Sequence, residues 1–73
     1  MAGAKIELSP TERGFYRAEF TDRYDEKCSI QKSSLAFEDC IWLGINQHRM
    51  HLTQDMVKAL LPHLRRFAKT GEL

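Results

Sequence analysis

Two cysteines and two closely spaced histidines, Cys28, Cys40, His48 and His51, are of the kind that bind transition metals. Two thiolates and two imidazoles would complete a tetrahedral zinc set. Spacing argues against it. Structural zinc sites hold their cysteines about two to four residues apart on a tight knuckle, whereas these stand twelve positions apart. His48 and His51 are three apart, which on an extended strand sends them to opposite faces. The pattern predicts two buried thiols, two surface histidines, and neither metal nor cofactor. A cysteine, a histidine and Asp39 also sketch a nucleophilic triad. Both cysteines fall in apolar surroundings, however, where a thiol's pKa rises and it becomes inert. Ser33-Ser34 lacks the glycine-flanked elbow of a hydrolase serine, and Glu38-Asp39 lies in a bend where neighbouring acids seldom converge on one bond. No glycine-rich loop precedes a helix to cradle phosphate. The sequence therefore predicts no catalytic residue.

The elements that must position these groups belong to one small domain of 73 residues. A chain this short buries only ~60% of the surface its unfolded form exposes. Its composition, 42% hydrophobic and 29% charged, is that of a globular domain. No apolar run approaches the roughly 18 residues of a membrane span, and the N-terminus has no apolar signal segment. Two cysteines make no disulfide framework, so a reducing cytoplasm is the expected setting. A net charge of +1 excludes both an acidic DNA mimic and a globally basic nucleic-acid binder.

Residues 1–4 are expected to be loose. Lys5 to Leu8 alternates and predicts a short edge strand, which would allow a symmetric homodimer by edge pairing. Phe15 to Thr21 alternates with period two, the pattern of a half-buried strand. Cys28 to Ser33 predicts a second strand with Cys28 and Ile30 inward. Cys40 to Ile45 is a continuous apolar run, and Arg49 to Leu52 a returning strand. Short loops make these strands antiparallel neighbours. Trp42 shares a side with Cys40 and is expected in the core; exposed, it would be the leading anchor for a partner.

The C-terminal segment predicts a helix. Thr53 is placed to cap it, and Asp55 favours its positive end. Met56, Val57, Leu60, Leu61, Leu64, Phe67 and Ala68 form one apolar stripe, and Gly71 ends the helix. At about 100° per residue, Pro62 lies opposite the stripe, where the carbonyl it frees can bond to water. The expected fold is α+β: three or four antiparallel strands with this helix packed across one face.

Two polar surfaces remain for recognition. The helix's outer face carries Lys58, Arg65, Arg66 and Lys69, a match for phosphates or an acidic protein surface. Cations near a helix C-terminus are also favoured by the dipole alone. The sheet face away from the helix is expected to display Arg17, Glu19, Thr21, Ser29, Gln31 and Ser33, and Glu38 and Asp39 are also expected to stay outside for recognition.

CSIQKSSLAFEDCIWLGI followed by RMHLTQDMVKALLPHLRRFAKTGEL resembles a family of short proteins of bacteriophages and prophages, over about Ile6 to Leu73. The resemblance implies a context and no reaction. In that context small non-enzymatic proteins bind a host machine and block or redirect it, as anti-CRISPR proteins do. The expected partner is thus a bacterial protein complex in the host cytoplasm, with nucleic acid as the alternative and no membrane.

Overall fold

The computed structural model describes residues 6–73. The expected looseness of residues 1–4, and the Lys5 end of the first expected strand, lie outside them. Among the described residues five antiparallel strands follow one another in space as in sequence: β1 (Ser9–Pro10), β2 (Tyr16–Thr21), β3 (Lys27–Lys32), β4 (Cys40–Ile45) and β5 (Met50–Thr53). The helix α1 spans Gln54–Thr70. The α+β class holds, with one more strand than expected.

That extra strand replaces the edge strand expected at Lys5–Leu8. Ile6 to Leu8 are not in a strand, and pairing begins at Ser9 opposite Arg17 and Pro10 opposite Tyr16. A proline is tolerated here because β1 is an edge strand and needs no further donor. The turn is closed by bonds from the Thr11 amide to the Phe15 carbonyl and from the Gly14 amide to the Thr11 carbonyl, each 2.8 Å. Between β2 and β3, the Asp22 carboxylate accepts the amides of Tyr24 at 2.8 Å and Glu26 at 3.0 Å.

Register divides the sheet into two chemically distinct faces. Arg17, Gln31, Trp42 and His51 stand in one row across β2 to β5, and Glu19, Ser29 and Gly44 in the next. The intervening rows place Ala18, Ile30, Leu43 and Met50 together, with Phe20, Cys28 and Ile45, on the opposite, apolar face. The β4 assignment corrects the sequence expectation. Cys40 and Trp42 do share a side, but it is the polar one, so the two thiols lie on opposite faces. A continuous apolar run has no period of its own, and only pairing with β3 fixes which way it points. Both thiols are nonetheless buried and free.

The helix has the expected ends. Thr53 Oγ1 accepts the Met56 amide at 3.2 Å, and Gly71 adopts a left-handed φ of 79° while its amide bonds to the Phe67 carbonyl. Its placement differs from expectation. No helix residue is buried, and among the described residues its substantial packing is against β5 alone. Thr53 ends β5 and caps α1 at once, so no loop is available to turn the helix back over its own sheet. The chain is correspondingly extended: its radius of gyration is 13.4 Å, against ~11 Å for a compact domain of this length. Among the described residues the buried apolar core reduces to Ala18, Cys28, Cys40 and Leu52.

Candidate recognition site

The polar sheet face carries a connected hydrogen-bond network. Gln31 Oε1 accepts from the Arg17 guanidinium at 2.7 Å and from Arg49 Nη1 at 2.8 Å. Arg49 Nη1 also reaches Ser29 Oγ at 3.3 Å, and Ser29 donates to Asn46 Oδ1 at 2.7 Å. One amide oxygen thus gathers two guanidiniums, and the nearest ion pair is a long one, Arg17 to Glu19 at 3.5 Å. Like charges held this close repel unless an anion or an acceptor-rich surface joins them.

Gly44 supplies beside this arrangement a backbone conformation that other residues rarely adopt. Its φ is +138°, and a Cβ there would stand 3.4 Å from the Arg49 Cα and 3.6 Å from the His48 carbonyl oxygen. Beside the network, Trp42 and His51 are cross-strand partners, and their rings stack with centroids 3.9 Å apart and planes 11° off parallel. The Arg49 guanidinium carbon lies 5.5 Å from the Trp42 ring centroid, within cation–π range. His51 Nε2 is 3.0 Å from Ser33 Oγ. Trp42 is half-buried and His51 exposed, so the stack is open to a partner. A groove of about 360 Å³ borders the face, lined by Arg13, Phe15, Lys32, Trp42 and Arg49 among others.

The residues expected to meet a partner divide into three groups. Ser29, Gln31 and Ser33 share the polar face, but Ser29 is 0% exposed and Ser33 is buried. These two serines, expected to face water, form the floor of the site; only Gln31 is partly open. Glu38 and Asp39 lie exposed in the bend before β4, Asp39 in a 2.8 Å ion pair with Lys32 that holds its carboxyl below the usual range. Lys58, Arg65, Arg66 and Lys69 are exposed on α1. Sequence reasoning missed His51, Arg49 and Asn46 as recognition residues, and held Trp42 as an anchor only if it were exposed. The hairpin closes on a two-residue Asn46-Gln47 turn, with the His48 amide on the Ile45 carbonyl, which sets Trp42 opposite His51; a three-residue Asn46–His48 loop, as the strand bounds expected from the sequence leave it, would have set Trp42 opposite Leu52.

The groups considered for chemistry are dispersed. Burial first, then the nearby carboxylates Asp22 and Glu26, push the Cys28 thiol pKa up; burial and Glu38 do the same for Cys40. Among the described residues no three His, Cys, Asp or Glu side chains are grouped to hold a metal. No helix among them is long and apolar enough to cross a membrane. No protein-family model matches the chain, nor does any curated protein or solved structure.

Proposed function

We propose that this is a non-enzymatic, phage-type binding protein that inhibits or modulates a bacterial protein complex, in the manner of an anti-defence protein, and that it binds through the polar sheet face. The observation that carries this reading is the open Trp42–His51 stack beside two guanidiniums anchored on Gln31. A flat aromatic pair and preorganised arginines are the residue types that dominate protein interfaces. Because the network fixes Arg17 and Arg49 beforehand, little side-chain entropy is lost on binding. The phage and anti-defence context comes from the sequence resemblance alone.

The test is affinity capture from nuclease-treated bacterial lysate with wild type and with Trp42→Ala and Arg49→Glu. Wild type returns a defined protein complex, and both variants lose it at unchanged folded content. Equal capture by all three proteins contradicts the assignment. A second reading, nucleic-acid binding, is favoured by the four cations on a helix face that no other element covers. It requires retention on an oligonucleotide column at modest salt that Lys58→Glu with Arg66→Glu abolishes; a wild type that is not retained eliminates it.

A further inference from the structure

The apolar stripe of α1 is exposed in a way a lone 73-residue chain does not tolerate well. Met56, Leu60, Leu61, Leu64 and Phe67 are 37–56% exposed. The same chain leaves a second apolar surface incomplete, the sheet face bearing Phe20, Ile30, Leu43 and Ile45. Helix and sheet face are complementary in kind, yet the loopless junction at Thr53 keeps them from meeting within one chain. A groove of about 450 Å³ at that junction, lined by Ile41, Leu52 and Val57 among others, opens between the sheet and the first helical turn.

We propose that a second copy of the chain closes both surfaces: the two copies exchange C-terminal helices about a two-fold axis, each laying its stripe on the other's apolar sheet face. This goes beyond the binding role proposed above and uses the opposite face of the sheet.

Two arguments select a second copy as the occupant. Helix exchange covers the stripe and the sheet face together, whereas a lipid surface or a foreign groove taking the helix leaves the sheet face wet. Area agrees as well. Five large side chains about half exposed offer on the order of 400–500 Å², at about 200 Å² each. With up to about 300 Å² from the four sheet residues, and doubled by symmetry, the buried total is roughly 1,400–1,600 Å², the size of a stable interface. A swap of this kind is a low-cost route to a dimer.

The experiment is sedimentation equilibrium of the full chain from micromolar to hundreds of micromolar, with Leu64→Glu alongside. The expected wild-type mass is twice the 8.5 kDa of the chain, and Leu64→Glu shifts it to a single chain. A wild type that stays at 8.5 kDa throughout overturns the proposal, as does a dimer indifferent to Leu64→Glu. Should that variant unfold, thermal unfolding of wild type decides: a midpoint that rises with protein concentration supports the dimer, and one that does not refutes it. Isotope-filtered NMR on mixed labelled and unlabelled copies places the helix. Contacts between chains from Leu64 or Phe67 to Ile30 or Leu43 support exchange, and contacts only between helices overturn it. Monomers that bind anionic phosphatidylglycerol vesicles through the stripe also overturn it.

Discussion

Replacing Ser29 by alanine removes one oxygen from the middle of the polar network. Ser29 is 0% exposed, and its hydroxyl both donates to Asn46 Oδ1 and accepts from Arg49. A neutral internal hydrogen bond contributes about 1 kcal/mol, and one to a charged group about 1.5–3 kcal/mol. The Arg49 bond, at 3.3 Å, is long and belongs near the bottom of its range, and Arg49 keeps its bond to Gln31. Asn46 is half-buried and partly rehydrates. The expected loss is therefore about 2 kcal/mol, with a melting point lower by roughly 8–16 °C for a domain of this size. Urea titration at one fixed protein concentration measures it, with exposed Thr21→Ala as a control that stays within about 0.5 kcal/mol. A Ser29→Ala loss below about 0.5 kcal/mol would show that the network contributes nothing to the fold and is not a preorganised site.

Gly44→Ala forces a Cβ onto a φ of +138° against the Arg49 backbone; such strain costs on the order of 1–3 kcal/mol, and urea titration should show it together with loss of partner capture. Thr53→Ala removes the helix cap and should cost about 1 kcal/mol, read as a lower denaturation midpoint. Burial raises both thiol pKa values, so their contribution to stability is complete below the unfolded-state value of ~8.5 and is lost as pH rises through the folded-state values. The urea midpoint should fall between pH 8 and 10, and Cys28→Ala with Cys40→Ala should flatten that fall. The native thiols should also resist a disulfide reagent that labels both at once in urea; immediate labelling of the folded protein would contradict their burial.

Alternation made β2 and β3 legible in the sequence, because polar and apolar residues took turns there and only one face could be buried. The helix was equally legible in extent: Thr53 and Gly71 are local signals that cap geometry depends on. Where the helix goes was not legible, since periodicity says that a stripe wants cover and not which surface supplies it. That depends on the absence of a loop between β5 and α1. The parity of Cys40–Ile45 was hidden for a related reason, as six apolar residues read the same from either side. With Trp42 assigned to the core, its stack on His51 and its approach to Arg49 could not be seen. Ser29 and Ser33 were placed on the correct face but at the wrong depth, because the length of Arg49 that crosses over Ser29 is a property of the sheet, not of β3.

Hydrogen exchange on the protein while it is bound to the complex it captures tests the role of the polar face most directly. The account predicts slowed exchange along β4 and β5 around Trp42 and His51, with the outer face of α1 unchanged. Protection confined to the Lys58–Lys69 face of the helix, with β4 and β5 exchanging as in the free protein, would contradict it.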